Sequence, residues 1–365
     1  MIELREGDRK AFFETPFSAY GEEAGYVSPM RSDLFRMLDG RSNPLFSSGN
    51  PFAFWTVHRA GRPIGRILAT VHGQSNALHG TKRAQFGFFD CGDDRAAAAS
   101  LLGAAEGFAR GQGCEELAGN FNLTAMQQAG VMTGGFGRQA YTDMVVNPPH
   151  VPRLLEENGY EPFFPMTTFE LKLDEATPPE ADFEALERDG YSFAAIGKTH
   201  FAERMEEARI VLNDGFERNP MFVPLTPEEF VFQAGEMMAI LDPTLSAVLH
   251  QHGRPVGVIV CIPDLNPFMK SARSRMGLTA PIHFLWHRLR RRRAVIIFYS
   301  TVRDRHGLGL NSAMLARVIA ALRKGGYRSL GITWIADENK ASLRQMEKIG
   351  ARPLHRLNLF RKALA

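Results

Sequence analysis

The residues best suited to chemistry form one short run, Asp304-Arg305-His306-Gly307-Leu308-Gly309. The run lies between an apolar segment, 294–302 (AVIIFYSTV), and an amphipathic one, 310–324. A glycine-rich turn at the start of a helix presents unpaired backbone N–H groups and the positive end of the helix dipole, and both favour a diphosphate. Gly307 and Gly309 let the main chain approach a ligand with no side chain in the way. Arg303, Arg305 and His306 add positive character. The plainer reading is a tight strand-to-helix connection that binds nothing, and context decides between the two.

The elements that must position this turn are legible from apolar spacing. Met314, Leu315, Val318, Ile319 and Leu322 fall on one helical face over 310–324, and Gly325-Gly326 ends that helix. A strand at 328–335, a helix at 339–349 stopped by Gly350, and a strand at 353–361 follow. Upstream lie helices at 198–213 and 226–241, and strands at 245–250 and 255–262 around His252-Gly253-Arg254. The N-terminal half repeats the order. Strands at 53–58 and 64–71 surround Ala60-Gly61-Arg62-Pro63; a strand at 84–91, a helix at 94–110, a strand near 115–120 and a helix at 150–158 follow. Two matching rounds of hairpin, strand, helix, strand, helix point to an internal duplication. Between them, 174–183 (DEATPPEADF) is acidic, contains Pro178-Pro179 and lacks apolar periodicity, so it reads as a linker. The expected division is a domain over 1–173, the linker 174–183, and a domain over 184–365.

Composition sets the outer bounds. The chain has 365 residues, enough for two cores. It is 44% hydrophobic and 23% charged, as globular proteins are. Net charge is +3, so the average says little about partners and the local distribution must speak. Three widely spaced cysteines, Cys91, Cys114 and Cys261, give no disulfide framework and no zinc spacing, which fits a reducing compartment. No apolar run approaches the ~20 residues that span a bilayer. The N-terminal stretch has charges of both signs and no apolar core of a signal peptide. A cytoplasmic location is expected.

At the glycine turn the chain resembles the GCN5-related N-acetyltransferase (GNAT) family, whose acyl-CoA motif is Gln/Arg-x-x-Gly-x-Gly/Ala after the fourth strand. About thirty residues further on, 337–351 (DENKASLRQMEKIGA) is similar to the family's Glu-Asn…Glu-Lys-x-Gly-Phe helix. The resemblance implies an α/β (α+β) fold of two tandem GNAT domains, each a mixed, mostly antiparallel sheet flanked by helices. It implies acyl-CoA as co-substrate and no metal. The cofactor-binding positions it implies are Val302, Arg303, Arg305, His306, Gly307, Leu308 and Gly309, with Asn339 near the pantetheine arm. It further implies a catalytic backbone N–H near Val302 that donates to the thioester oxygen. Tyr299, on the same strand, is the candidate for relaying a proton or orienting an amine; its plainer reading is a core aromatic with a satisfied hydroxyl. Two positions depart from the pattern. Asp304 replaces the usual Gln or Arg, and Met346 stands where many members carry the tyrosine that protonates the leaving thiolate. Glu229, Asp337 and His250 are further candidates for a proton acceptor, against readings of Glu229 as an exposed helix residue and His250 as a surface turn residue. The first half carries Asp90-Cys91-Gly92-Asp93-Asp94-Arg95 in place of the glycine turn. Its three carboxylates suit a helix start and repel a diphosphate, so that half is expected to shape the acceptor site.

The whole chain resembles a bacterial double-GNAT subgroup through 50–69, 86–90, 147–160, 213–229 and 331–339. That subgroup includes the bacterial ceramide synthases, which implies joining a long-chain acyl-CoA to the amine of a sphingoid base, 3-ketosphinganine or sphinganine. The segment 276–293 (MGLTAPIHFLWHRLRRRR) bears on this choice. It joins Ile282, Phe284, Leu285, Trp286 and Leu289 to five arginines at 288 and 290–293. Apolar side chains beside cations suit an anionic membrane surface, each arginine adding roughly 1 kcal/mol. A substrate with a sixteen-carbon chain resists water by roughly ten kcal/mol, at ~0.8 kcal/mol per methylene. A peripheral position on the inner membrane is therefore expected, with no nucleic acid partner. Two readings of the arginines compete with docking: a solvated face, or contact with phosphates of CoA or of a nucleic acid. Three functions stay open at this point: the sphingoid-base N-acyltransferase; an aminoacyl-tRNA-dependent or small-amine N-acyltransferase of the same fold; and a non-catalytic peripheral lipid-binding protein.

Overall fold

The computed structural model describes residues 1–21, 25–234 and 240–364. The strands in chain order are β1 (Ile2–Glu6), β2 (Phe52–Arg59), β3 (Arg62–Thr70), β4 (Arg83–Cys91), β5 (Glu116–Gly119), β6 (Val131–Gly134) and β7 (Glu161–Lys172). Then come β8 (Tyr191–Ala195), β9 (Ala247–Gln251), β10 (Arg254–Pro263), β11 (Arg293–Thr301), β12 (Ser329–Ala336) and β13 (Arg352–Ala363). The chain folds into two compact units that interleave in sequence. One comprises Met1–Thr167, Asn266–Leu285 and Leu354–Ala365; the other comprises Thr168–Leu265 and Trp286–Pro353.

In the first unit the strands run β1-β2-β3-β4-β5-β13, with β6 also on β13. Pairing is antiparallel from β1 to β4 and parallel between β4 and β5. A parallel pair needs a crossover, and the helix Arg95–Gly111 supplies it. Its Ala97, Leu101, Leu102 and Ala105 pack with Val57, Ile67 and Phe86 in one core. A second core gathers Phe12, Phe13, Leu34, Phe54, Leu68 and Phe88. It draws on the helices Arg9–Tyr20 and Arg31–Met37, which apolar spacing had not marked.

In the second unit the order is β12-β11-β10-β9-β8. Pairing is antiparallel from β8 to β11 and parallel between β11 and β12. The crossover is the helix Leu310–Lys324. Every residue from Val256 to Cys261 on β10 is buried, so that strand is covered on both faces. A Cβ on Gly257 would meet the Met314 sulfur of the crossover helix at 3.2 Å. On the other face, a Cβ on Gly215, at the end of the helix Phe201–Gly215, would meet the Ser300 hydroxyl at 2.1 Å. Only glycine permits that approach.

The duplication expected from the sequence is visible in connectivity. Each unit carries a hairpin whose two turn residues have positive φ, Ala60 and Gly61 at 50° and 77°, His252 and Gly253 at 49° and 81°. That left-handed pair suits the strand twist. Each has a parallel ladder of matching extent, Arg83↔Glu116 to Phe86↔Gly119 and Arg293↔Ser329 to Ile296↔Ile332. The strands leading into the two turns read RAQFGFFDC and RAVIIFYST. Residues 174–182 carry neither helix nor strand, and Asp182 caps the helix Phe183–Arg188 through the Ala185 N–H. The helix expected over 226–241 is described as Pro227–Ala234, and 235–239 lie outside the described residues.

Candidate active site

Two strands that pair and then part create an open edge beside the glycine turn. Along β11 the register against β10 passes from Ile296↔Cys261 to Phe298↔Val260, which leaves Ile297 as a bulged residue. Pairing with β12 stops at Ile296↔Ile332, although the strands continue to Thr301 and Ala336. The Val302 N–H donates to the Val256 carbonyl at 2.9 Å, so it is engaged by β10. Alternation along an antiparallel strand then turns the N–H groups of Tyr299 and Thr301 away from β10, into the gap that β12 has vacated. Two carbonyls on that side are occupied: Ile297 accepts from the Thr333 hydroxyl at 2.9 Å, and Thr301 from the His306 ring at 3.0 Å. The Tyr299 and Thr301 N–H groups have no partner among the described residues. A ligand carrying amides or a carbonyl can pair with them as a strand would.

The turn beyond the strand is open in the same sense. A short 3-10 turn, Arg303–Arg305, leads through His306 to Gly307 and Gly309, which have φ of 84° and 76°. A Cβ at either glycine would meet nothing within 4 Å, so this side of the backbone is clear. Gly309 is the N-cap of Leu310–Lys324, and no side chain caps that helix. The first N–H of the helix with a backbone acceptor is that of Ala313, which donates to Gly309. From Gly307 to Ser312, consecutive backbone N–H groups take no acceptor among the described residues. A row of this kind at a helix start is an anion cradle.

The basic side chains contribute less than their number suggests. Arg303 pairs with Glu217 and lies 3.7 Å from Asp214, whose carboxylate also accepts from the Arg303 N–H at 2.6 Å. Asp304 takes Arg254 at 3.1 Å and Arg305 at 3.4 Å. The Arg305 Nε donates to Gln251 at 2.9 Å. Three arginines thus face three carboxylates, and the attraction for an anion rests mainly on the main chain.

Tyr299 sits at the mouth of the gap. Its hydroxyl donates to the Gln345 Oε1 at 3.0 Å, and the Gln345 amide donates to the Ser312 hydroxyl at 3.3 Å. Burial pushes the phenol up to about 12, against a lowering hydrogen bond with Ser342, so it stays neutral and serves as a donor. Asn339 caps the helix Lys340–Ile349 by accepting from the Ser342 N–H at 3.1 Å. Met346 is fully buried in the core. Its thioether has no proton to give a thiolate. Gln345, its neighbour, reaches Tyr299 instead.

The structure thus brings together Tyr299, Val302, the turn 303–309 and, through Ser342, Asn339. Glu229 and His250 belong elsewhere. Glu229 is buried and completes a capping box with Thr226, accepting from the Thr226 N–H at 3.0 Å. His250 lies within β9, buried, 3.0 Å from the Glu207 carboxylate and 3.1 Å from Arg204. The site residues that sequence reasoning missed are Thr301, Gln345 and Ser312. Spacing offered no signal for them, because their roles depend on where two strands part.

The equivalent place in the first unit is filled by the chain itself. Asp94 accepts from the Ala97 N–H at 3.1 Å and caps the helix Arg95–Gly111. The Phe88 and Phe89 N–H groups of β4 donate to the side chains of Asn122 and Asn120 at 2.7 and 3.0 Å. Asp93 pairs with Arg153, and Asp90 with the buried Arg66 at 2.6 Å.

This architecture is that of two GCN5-related N-acetyltransferase folds in tandem. A tandem GNAT protein from the clavulanic acid biosynthesis pathway, solved without AcCoA, matches 100% of this chain and 99% of its own with a TM-score of 0.59 at 14% identity. No family model matches the sequence. Protein YghO of Escherichia coli (strain K12) is 25% identical over 375 residues, 99% of this chain and 94% of that one. The bacterial ceramide synthase of Caulobacter vibrioides (strain NA1000 / CB15N) is 23% identical over 366 residues, 97% of this chain and 94% of that one.

Proposed function

We propose that the protein is an acyl-CoA-dependent N-acyltransferase that joins a long-chain acyl group to the amine of a sphingoid base. The observation that carries the acyl-CoA part is the run of unpartnered N–H groups from Gly307 to Ser312, next to the open edge at Tyr299 and Thr301. The cradle suits a diphosphate, and the edge suits the amides and the thioester carbonyl of the arm that follows it. The sphingoid-base part is supported by the ceramide synthase relative, which matches along nearly the whole chain.

In this reading the Tyr299 or Thr301 N–H donates to the thioester oxygen and stabilises the oxyanion that forms on attack. The Val302 N–H does not have that freedom, since Val256 holds it. The amine attacks in its neutral form. With a pKa like that of lysine, about one part in a thousand is neutral at pH 7, a cost of ~4–5 kcal/mol. A neutral Tyr299 cannot take the proton that the nitrogen loses as the amide forms and the C–S bond breaks; that proton passes through water to the departing CoA sulfur. The phenol can donate a hydrogen bond to that sulfur, whose pKa near ~8.5 makes it a fair leaving group in any case.

The test is mass spectrometry of purified protein with palmitoyl-CoA and 3-ketosphinganine or sphinganine, beside acetyl-CoA and polar amines. N-acylated sphingoid base is the expected product. Gly307→Val and Gly309→Val put a side chain into clear space in a left-handed conformation. Each is expected to keep the fold and weaken acyl-CoA binding about a hundredfold, the loss of two charge-assisted hydrogen bonds. Unchanged binding in both variants would remove the cradle from the mechanism.

A further inference from the structure

The helix Ala280–Arg290 turns its apolar stripe outward. Ala280 is buried, and Phe284 meets Phe268 edge-on at 5.4 Å, which fixes the inward side. Ile282, Leu285, Trp286 and Leu289 stand at i, i+3, i+4 and i+7 on the opposite side, 70%, 59%, 57% and 75% exposed. A helix on the surface of a globular protein ordinarily buries that stripe. A contiguous exposed apolar face marks an interaction surface.

Charge says what the surface meets. At 100° per residue Arg288 and Arg290 fall on the two flanks of the stripe, and the Arg290 guanidinium rests 3.7 Å from the centre of the Trp286 ring. Other arginines of the segment are engaged: Arg275 with Glu14 at 2.7 Å, Arg291 with Asp242 and Arg293 with Asp264 at 2.8 Å. Arg288 has no carboxylate partner among the described residues. No acidic residue occurs from 265 to 303. A shallow apolar stripe with a tryptophan, edged by cations and free of acid, has the pattern of a helix lying in a lipid interface.

We propose that this helix docks the protein on an anionic lipid surface. Ile282, Leu285, Trp286 and Leu289 enter the boundary between headgroups and acyl chains, and Arg288 and Arg290 reach up to lipid phosphates. Among the described residues no helix is long and apolar enough to cross a membrane, so the contact is peripheral where this helix makes it. The inference goes beyond the acyltransferase reading and stands without it.

Co-sedimentation of the full chain with vesicles of phosphatidylcholine, alone or mixed with phosphatidylglycerol, tests the proposal. Binding to the mixed vesicles, weakened by salt, and a blue shift of tryptophan emission that Trp286→Phe removes are the expected results. Ile282→Ser with Leu289→Ser is expected to lower partitioning about tenfold or more, and Arg288→Glu with Arg290→Glu to abolish the preference for the anionic lipid. Both double variants change solvent-facing side chains, so their melting temperatures are expected to match the wild type. Their turnover of a short-chain acyl-CoA with a water-soluble amine is compared with the wild type, so that lost docking is read apart from lost catalysis. Absent vesicle binding, or binding that the serine variant retains, overturns the proposal. So does self-association of the wild type that the serine variant abolishes, because the stripe would then belong to a second copy.

Discussion

Tyr299 is the side chain whose role depends most on its protonation state. Burial holds its phenol neutral up to about 12, and its proton points at Gln345. Replacing it by phenylalanine keeps the ring and removes one donor. Tyr299→Phe is expected to leave acyl-CoA affinity unchanged and to lower the acylation rate by about a hundredfold, the lower end for a positioned proton donor. Single-turnover kinetics separate the two, and an equal loss of binding would make the tyrosine a structural support. Asp143 in the first unit presents a different case. It is half-buried at φ 69°, has no hydrogen-bond partner among the described residues, and burial pushes its carboxyl up to about 7. A carboxyl whose folded-state pKa lies above its unfolded value of ~3.9 holds its proton more tightly when folded. Its contribution is present in full below that unfolded value and is lost as pH rises through about 7. Asp143→Asn is therefore expected to match the wild type in melting temperature near pH 4 and to exceed it near pH 8. A constant difference across that range would show that the asparagine acts by something other than charge.

At the scale of elements, the turn could be read from sequence and the gap could not. Gly307 and Gly309 between an apolar strand and an amphipathic helix announce themselves by type and position, and both have the positive φ that only glycine adopts freely. The open edge arises from the bulge at Ile297 and from the point where β11 and β12 part, and these depend on register between strands far apart in the chain. The same limit explains Val302, expected as the donor because it ends the strand, yet engaged by Val256. It explains Asp90 as well. The sequence offers it as one of three carboxylates at a turn, but it is buried inside β4. Arg66 donates to Asp90 at 2.7 Å, to the Phe12 carbonyl at 2.8 Å and to the Tyr26 hydroxyl at 2.7 Å. The guanidinium also lies 4.9 Å from the Phe12 ring centre, so helix Arg9–Tyr20, β3 and β4 are fixed by one side chain. Arg66→Met would leave Asp90 buried without its charge partner. A loss of ~3–5 kcal/mol is expected, read from the shift of the thermal or denaturant midpoint. A loss below ~1 kcal/mol would mean that water reaches the carboxylate.

At the scale of the molecule, one fold is used twice, and the glycine turn stands in the second copy. The sequence shows the difference at one position, where carboxylates replace the glycines. The structure adds more: Asp94 takes the Ala97 N–H at the helix start of the first unit, and Asn122 and Asn120 take the Phe88 and Phe89 N–H groups of β4. In the second unit, among the described residues, no acceptor meets the N–H groups from Gly307 to Ser312 or those of Thr301 and of Tyr299, which the parallel ladder aligns with Phe89. Backbone donors that are already paired gain nothing from a ligand, whereas unpaired ones gain roughly 1.5–3 kcal/mol for each hydrogen bond to a charged oxygen. Calorimetric titration with CoA is therefore expected to give one site per chain. Gly309→Val should weaken that site about a hundredfold, and Asp94→Ala with Asn120→Ala should leave the stoichiometry at one. The alanine pair frees donors in the first unit, but the exposed Asp93 still stands at the turn and repels a diphosphate. A single site of unchanged affinity in Gly309→Val would locate the ligand outside this turn and reverse the roles of the two copies, and a second site in the wild type would show that the first unit binds as well.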